Sequence, residues 1–373
     1  MSKIHNNMKR LVPLLIACLL LSYNLSGIDS QANATKDSVA INDGPYIFLV
    51  NDTLKAIRID GGIAEESVLL PGRHSSVALT RDLTASYKDL TGVFKKKPKY
   101  RQSYRRVDSI AVISDAHGHY DTFLRQLISN GIIDENLNWK FGKGHLVFLG
   151  DAFDRGDEVT ELLWSLFVLQ KKADRAGGEV HVLLGNHEAM VLDNDLRYIN
   201  DKYKTVEAIC GTTYTDLYSA SSVLGRWIRS MPVIITINDI LFVHAGISPE
   251  FVSRELKTKD VNRLFSEQIS GKDISSVPEE SELYFLAGND GPLWYRGYFT
   301  DTFTETQLDS ILDYFGKDHI VVGHTTHREM QLLFNNKIFG IDAGIAYGMP
   351  GSMLIYKDGI FYKSSIDGKR VQL

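Results

Sequence analysis

The sequence predicts an α/β fold in which a largely parallel sheet carries polar side chains at the carboxyl ends of its strands. Three short apolar runs, residues 110–113, 145–149 and 180–184, each lead into a segment rich in Gly, Asp, Asn or His. Such runs bounded by glycine are typical of buried strands, and amphipathic stretches separate them. Because open α/β sheets place their sites at the carboxyl ends of strands, we expect these polar segments to meet.

The first 32 residues have the pattern of an export signal. Basic residues precede an apolar core at residues 11–21, which is short for a membrane span. We expect cleavage near Ala32 and export to the periplasm or the medium. The alternative is lipoprotein processing at Cys18, which ends a lipobox-like Leu-Ile-Ala-Cys sequence and would anchor the protein to a membrane.

Three segments follow the signal. Residues 33–44 are polar and lack periodicity, which predicts a linker. Residues 45–107 contain short alternating runs, which predict a small β-rich extension built from hairpins. A lysine-rich run at residues 95–99 within it is interpreted as a solvated connector. We assign the catalytic domain to residues 108–373.

Helical spacing of apolar residues predicts further elements of that domain. Residues 120–129 and 158–176 are each followed closely by a glycine that would end a helix. Residues 197–228 are mostly helical in pattern but interrupted by polar residues, which predicts a helical cap over the site. Residues 232–242 predict two strands joined at Asn238, and four more strands are expected after residue 330.

Composition and charge narrow the classes of function. The formal net charge is -5 and the basic residues are dispersed, so the chain lacks the basic stripe of a nucleic-acid-binding protein. Hydrophobic residues make up 44% of the chain, which is enough for a sizeable core. Cys18 and Cys210 are the two cysteines, and signal cleavage would leave at most one, so we expect no disulfide.

Six residues of metal-ligand type follow the predicted strands. They are Asp115, His117, Asp151, Asn186, His244 and His324. Carboxylate, imidazole and amide donors without thiolate suit manganese, which we prefer, and also iron, zinc or cobalt. Two ions about 3.5–4 Å apart can activate water and clamp a phosphoryl group. We therefore expect a two-metal hydrolase centre, with Asp151 as the natural bridge.

Residues near these predicted ligands are candidates for proton donation and for phosphate binding. His187 is predicted to be the general acid for the leaving group, with Asp154 orienting its second ring nitrogen. Arg155 and Arg296 are predicted to bind phosphate oxygens. Glu188 is interpreted as structural. Other histidines have no required place in this centre and are interpreted as structural or surface residues: His119, His145, His181, His319 and His327.

These motifs resemble those of calcineurin-like metallophosphoesterases of the PPP phosphatase type, and in particular the bacterial Shewanella-like protein phosphatases. The segments concerned are Ser114 to Gly118, Gly150 to Gly156, Gly185 to Glu188, His244 to Gly246, and Gly323 with His324. Ser114, Ala116 and Ala245 depart from the family pattern without removing a ligand, so any difference should lie in loop geometry.

The resemblance implies a four-layer α/β/β/α sandwich and a ligand set for each ion. One ion would bind Asp115, His117 and Asp151. The other would share Asp151 and add Asn186, His244 and His324. It also implies His187 as the acid with Asp154 as its partner, and Arg155 and Arg296 on phosphate.

The function implied is that of an exported, dinuclear metal-dependent phosphatase that hydrolyses phosphomonoesters by direct attack of metal-bound hydroxide. The substrate would be a phosphorylated protein, with phosphotyrosine favoured, or a small phosphomonoester. No nucleic acid is expected as a partner, and no membrane unless Cys18 is lipidated. Two alternatives stay open. One is a nucleotide pyrophosphohydrolase of the diadenosine tetraphosphatase type, and the other is a non-catalytic surface binding module on the same fold.

Overall fold

The computed structural model describes residues 40–72, 74–95, 102–272, 274 and 276–373. The predicted export signal, Cys18, most of the predicted linker and most of the lysine-rich connector lie outside these residues. Among the residues that are described, no helix combines the length and the apolar character needed to cross a membrane.

Strands and helices alternate through the catalytic domain, after an N-terminal segment that is mostly β. The strands are β1 Asp43–Val50, β2 Thr53–Asp60, β3 Ile63–Leu69, β4 Ser76–Ala78, β5 Thr84–Ser86, β6 Ser103–Tyr104, β7 Ser109–Ile113, β8 His145–Phe148, β9 Glu179–Val182, β10 Ile234–Ile237, β11 Ile240–Val243, β12 His319–Val322, β13 Gln331–Leu333, β14 Ile338–Gly340, β15 Ser352–Lys357, β16 Ile360–Ser365 and β17 Arg370–Gln372. The α-helices are α1 Tyr87–Lys95, α2 Tyr120–Ser129, α3 Val159–Ala176, α4 Asn186–Leu192, α5 Asp201–Cys210, α6 Tyr214–Leu217, α7 Val223–Ile228, α8 Pro249–Ser253, α9 Thr258–Leu264, α10 Glu282–Ala287 and α11 Glu305–Phe315.

Two six-stranded sheets form the centre of the domain. One has the order β13-β14-β12-β11-β10-β6, and the other has the order β17-β16-β15-β7-β8-β9. Within them β7, β8 and β9 are parallel to one another, and so are β11, β12 and β14. The carboxyl ends of each parallel set therefore lie at one edge of its sheet, where the polar segments follow.

Side chains of the central strands alternate between two cores. Ile110 and Val112 of β7 belong to the core between the two sheets, whereas Ala111 and Ile113 belong to the core beneath the helices. Because both faces of these strands are buried, their sequences are continuously apolar rather than alternating. Two sheets packed together under outer helices confirm the four-layer architecture that the resemblance implied.

Most predicted elements occur with small shifts at their ends. The helix α3 ends at Gly177, whose left-handed φ of 80° closes the helix without the clash that a Cβ would cause. The strands β10 and β11 pair across Asn238 as expected. The tail contains the four expected strands and one more, β17, whose three residues are all exposed and whose sequence gives no alternation to detect.

The N-terminal segment shares its core with the catalytic domain. Tyr46 of β1 and Leu54 of β2 are buried in the same cluster as Trp164 of α3. The short strand β6 pairs with β10 and extends one of the central sheets. The region from 45 to 107 is therefore packed against residues 108–373, and its last strand belongs to one of the two central sheets.

The helices predicted as a cap pack largely against the N-terminal sheet. The helix α5 contacts β2 and β3, and α7 contacts β1. The loop that precedes α5 reaches the predicted site through Tyr198, whose ring centroid lies 5.4 Å from that of His187. These helices thus connect the N-terminal sheet to the region of the predicted acid.

Trp164 tests how strongly the N-terminal sheet stabilises the domain. Its indole is fully buried and donates a hydrogen bond of 3.0 Å to the carbonyl of Pro45 in β1. Trp164→Phe should lower the free energy of unfolding by about 2–4 kcal/mol, since it leaves a cavity and an unpaired buried carbonyl. Trp139→Phe is the matched control, because that half-exposed indole also donates to a carbonyl, of Gly142 at 2.8 Å. Equal losses in urea unfolding of the two variants would contradict this account.

Candidate metal centre

The predicted site residues lie in loops at the carboxyl ends of the parallel strands. Asp115 and His117 follow β7, Asp151 to Arg155 follow β8, and Asn186 and His187 begin α4 after β9. His244 follows β11, and His324 follows β12. All six predicted ligands are buried, with exposed fractions of 5% or less. The two sheets therefore contribute residues to a single buried cluster.

Several of these residues have backbone conformations that side chains rarely adopt. The φ angles are 52° at Asp115, 43° at His117, 61° at Asp151 and 65° at His324. A left-handed non-glycine residue costs about 1–3 kcal/mol and persists only where its surroundings enforce it. Hydrogen bonds between loops do so here, since the amide of Asp115 donates to Gly150 at 3.1 Å and that of His117 to Asp151 at 2.9 Å. Strain of this kind is concentrated at functional sites.

Asp151 lies between two groups of nitrogen donors. Its Oδ2 is 3.5 Å from His117 Nε2 and 3.4 Å from His244 Nε2. His244 also belongs to a second group with Asn186 and His324, in which Asn186 Oδ1 lies 2.9 Å from His244 Nε2 and 2.8 Å from His324 Nδ1. The donors of Asp151, His244 and His324 all lie within 4.8 Å of one another. A carboxylate in this position can contact two ions at once.

Asp115 is placed beside this group through its loop and its carboxylate. Both carboxylate oxygens lie 3.1 Å from the backbone amide of His324, and the hydroxyl of Ser114 donates to Oδ2. A Cβ at Gly323 would lie 2.0 Å from the Ser114 hydroxyl, so the glycine at 323 accommodates the serine at 114. The departure at position 114 therefore adds a donor to a predicted ligand.

The three ligand imidazoles are each oriented by a backbone carbonyl. His117 Nδ1 lies 2.6 Å from the carbonyl of Phe153, His244 Nδ1 lies 2.7 Å from that of Leu149, and His324 Nε2 lies 3.3 Å from that of Trp294. A carbonyl can only accept, so each of these nitrogens carries the proton and the other nitrogen presents its lone pair to the cluster. Neutral imidazole, carboxylate and amide oxygen form a donor set that fits divalent first-row metals.

His187 differs from these three histidines in its partner. Its Nδ1 contacts the carboxylate of Asp154, which is an anion rather than a carbonyl, and its Nε2 lies 3.9 Å from Asp151 Oδ2. Burial opposes protonation of the ring, but the charges on Asp151 and Asp154 outweigh it and raise the pKa of His187. Burial instead lowers the pKa of His117 to about 3, whereas at His244 the Asp151 carboxylate outweighs burial and raises the pKa to about 9. The partner of Nδ1, rather than the pKa, therefore distinguishes His187. A protonated imidazole facing the cluster suits a proton donor.

Glu188 connects the loops that carry Asp151 and Asn186. Its carboxylate accepts from four backbone amides, those of Asp151 at 2.8 Å, Ala152 at 2.7 Å, Phe153 at 3.4 Å and Gly185 at 2.7 Å. A Cβ at Gly185 would lie 2.2 Å from Asp151 Oδ1, so the two loops approach too closely for any other residue there. The position of Asp151, the predicted bridge, thus depends on Glu188.

Asp342 is a buried carboxylate near the centre that the sequence reasoning missed. It is 2% exposed, accepts from the hydroxyl of Thr326 at 2.5 Å and from the amide of Gly344 at 3.1 Å, and burial raises its pKa. It follows β14, so the rule that polar residues after apolar strands form the site could have identified it.

The two predicted phosphate-binding arginines lie at the rim of the cluster. Arg155 follows Asp154, and its guanidinium carbon is 4.9 Å from the centroid of the Tyr347 ring. Arg296 Nη1 donates to the carbonyl of His324 at 3.0 Å and to the hydroxyl of Thr325 at 3.2 Å. Arg296 also lines a cleft of about 590 Å³ together with Trp294. Arg155 is thus adjacent in sequence to Asp154, and Arg296 contacts the backbone of His324 directly.

Comparison with known proteins agrees with this geometry. Residues 109–328 match the calcineurin-like phosphoesterase family. Shewanella-like protein phosphatase 1 of Plasmodium berghei is 28% identical over 279 residues, which cover 69% of this chain and 75% of that protein. A cold-active protein-tyrosine phosphatase from a psychrophilic Shewanella species, known from its crystal structure, is 37% identical in sequence. The alignment covers 89% of this chain and 99% of that chain, and the two structures superimpose with a TM-score of 0.80.

A more distant similarity extends to nucleotide hydrolases. The symmetrical bis(5'-nucleosyl)-tetraphosphatase of Vibrio campbellii is 26% identical over 140 residues, which cover 37% of this chain and 44% of that protein.

Glu188→Gln tests whether the four amide bonds hold the centre in shape. One oxygen would become an amide nitrogen, which cannot accept and would face backbone N–H groups. We expect the free energy of unfolding to fall by about 2–4 kcal/mol and metal content to fall with it. Glu305→Gln is the control, because that exposed carboxylate pairs with Lys337 at 3.0 Å on the surface. Urea unfolding and metal analysis that do not distinguish the two variants would contradict the role given to Glu188.

Proposed function

We propose, from the premise that the chain belongs to the calcineurin-like phosphoesterase family and is a metal-dependent phosphatase, that it hydrolyses phosphomonoesters and prefers phosphotyrosine in proteins. The observation that carries the proposal is the contrast among the four imidazoles of the centre. Three are tied to carbonyls and present lone pairs, whereas His187 is tied to the carboxylate of Asp154. This contrast supports a separation of metal ligands from a proton donor, which hydrolysis needs and simple binding does not.

Each residue of the centre has a task in this reaction. Divalent ions held by the six ligands would lower the pKa of a water and neutralise charge on the phosphoryl group. Arg155 and Arg296 bind the remaining phosphoryl oxygens with planar N–H donors. His187 gives the proton on Nε2 to the leaving oxygen, and Asp154 keeps Nδ1 protonated and the ring in place. We propose manganese as the ion, with iron, zinc and cobalt compatible with the same donors.

The preference for phosphotyrosine rests on two features. The first is the 37% identity to a cold-active protein-tyrosine phosphatase over 99% of that chain. The second is the aromatic surface beside the arginines: Tyr347 is 66% exposed next to Arg155, and Trp294 and Phe303 line the cleft that Arg296 enters. Aromatic side chains around a phosphate site favour a substrate whose phosphate is attached to a ring.

We also propose that the mature protein is exported. The support is the basic and then apolar pattern of the first 32 residues, with processing at Cys18 as the lipoprotein alternative. The diadenosine tetraphosphatase alternative has support from a relative that is similar over 140 residues. A substrate comparison separates these two activities.

His187→Asn tests the proton donor. With phenyl phosphate, whose leaving group needs a proton, kcat should fall by about 10²–10⁴-fold. With 2,4-dinitrophenyl phosphate, whose leaving group departs as an anion, the loss should be at least tenfold smaller. Metal analysis of the variant checks that the ions are retained. A loss of the same size on both substrates, with metal content unchanged, would show that His187 is not the acid.

Tyr347→Ala tests the recognition of an aromatic substrate. The KM for a phosphotyrosine peptide should rise about 3–10-fold, because a stacking contact of about 1 kcal/mol is lost. The values for a phosphoserine peptide and for diadenosine tetraphosphate should change little. Tyr284→Ala is the control, an exposed tyrosine on α10 that lies outside the centre. The preference for phosphotyrosine is wrong if wild-type enzyme turns over the phosphoserine peptide or the dinucleotide more efficiently.

A further inference from the structure

A second cluster of metal-ligand side chains lies at the opposite, amino-terminal end of the parallel strands. His145 is the first residue of β8, and Glu179 and His181 belong to β9. One ligand atom from each of the three residues lies within 4.8 Å of the others, and His145 Nδ1 is 3.0 Å from His181 Nε2. Both imidazoles are buried, with exposed fractions of 8% and 6%.

The strand register places these side chains together. His145 pairs with Glu179 across β8 and β9, and Val147 pairs with His181. Because side chains alternate along a strand, Glu179 and His181 share one face of the sheet with His145. Val147 on that face belongs to the core between the two sheets. The cluster therefore occupies the end of the inter-sheet core, one strand length away from the catalytic centre.

Tyr104 brings the second sheet to the cluster. Its hydroxyl donates to Glu179 Oε1 at 2.8 Å, and its ring centroid lies 4.5 Å from that of His181. Tyr104 is on β6, the edge strand of one six-stranded sheet, and Glu179 is on β9, the edge strand of the other. The cluster thus lies where the open edges of the two sheets face each other.

The spacing of the donors is close to that of a coordinated cation. Two nitrogens at about 2.0–2.1 Å from a tetrahedral ion are about 3.3 Å apart, so the two imidazoles need to separate by only a few tenths of an ångström. Binding would displace the proton that the two imidazoles now share, as metal binding to histidine generally does. A cavity of about 420 Å³, lined in part by Gly144, His145 and Glu179, gives an ion a route to the site and room for a water ligand.

We propose that His145, Glu179 and His181 bind one zinc-type divalent cation that links the edge strands of the two sheets. Two imidazoles and one carboxylate are donors that zinc accepts, whereas magnesium and calcium need oxygen ligands. Arg105, Arg106 and Lys143 also line this cavity, and because their positive charges oppose every cation, binding must come from the strong nitrogen and carboxylate donors of the cluster. The ion would join β8, β9 and, through the hydrogen bond from Tyr104, β6.

Metal stoichiometry of the full chain tests this site. The purified protein is stripped with a chelator, dialysed against excess Zn²⁺ and measured by mass spectrometry. His181→Asn and Glu179→Gln should each bind one zinc ion fewer than wild type and lose the rise in Tm that the third ion gives. Turnover of phenyl phosphate at saturating metal should stay within about twofold of wild type, because the catalytic ligands are unchanged.

His319→Asn is the matched control, because that half-buried histidine lies outside the cluster and contacts the carbonyl of Asn336 at 2.8 Å. It should bind as many ions as wild type. Equal zinc content in wild type, His181→Asn and Glu179→Gln would overturn the proposal. If His181→Asn does not fold, Glu179→Gln decides alone, since glutamine keeps the size of the glutamate side chain. A protein that lacks phosphatase activity but loses one ion in these variants would disprove the proposed function and leave the second site intact.

Discussion

The catalytic centre depends on one buried carboxylate, that of Asp151. Taking a charge out of water costs several kcal/mol unless partners surround it. Here the imidazoles of His117 and His244 lie within 3.5 Å, and the backbone amide of His187 donates to Oδ1 at 3.0 Å. Burial alone would raise the pKa of Asp151, yet positive charge on the neighbouring histidines, His244 above all, holds it well below the usual value. With divalent ions bound, the rings would be neutral ligands and the ions would supply this positive charge. Each partner comes from a different strand end, so compensation of this charge requires both sheets to be assembled.

The same requirement explains the strained loops. Asp115, His117, Asp151 and His324 all have positive φ angles, and all four lie in the loops that carry the cluster. Hydrogen bonds between loops offset the cost, and carbonyl acceptors fix which nitrogen of each ligand imidazole is free. Of the four imidazoles, His187 is the one whose Nδ1 contacts a carboxylate, whereas the outer nitrogens of the other three contact backbone carbonyls. A single difference in hydrogen-bond partner therefore distinguishes the proposed proton donor from the proposed ligands within a group of chemically identical side chains.

The strands and the residues at their ends could be predicted from the sequence, because buried strands and their glycine-bounded turns are local patterns. The sequence indicated a structural role for Glu188 but could not identify its four amide partners, which depend on how two loops approach in space. Tyr198 carries no local signal as a site residue, whereas Asp342 follows the apolar strand β14 and could have been found by the rule used at the other strand ends. The helices after residue 200 were expected over the site because their pattern says nothing of what they pack against. His145 and His181 were interpreted as structural or surface residues. They come together through the pairing register of β8 and β9, which the sequence of a single strand does not reveal.

The amide contacts of Glu188 have a consequence for protein engineering. The segment from Gly150 to Gly156 is recognisable as a motif in the sequence, which suggests that it could be transferred to another protein as a unit. Its backbone, however, is shaped from outside by a carboxylate more than thirty positions downstream. Transplanting the segment into another scaffold without Glu188 would therefore transfer its sequence but not its loop conformation.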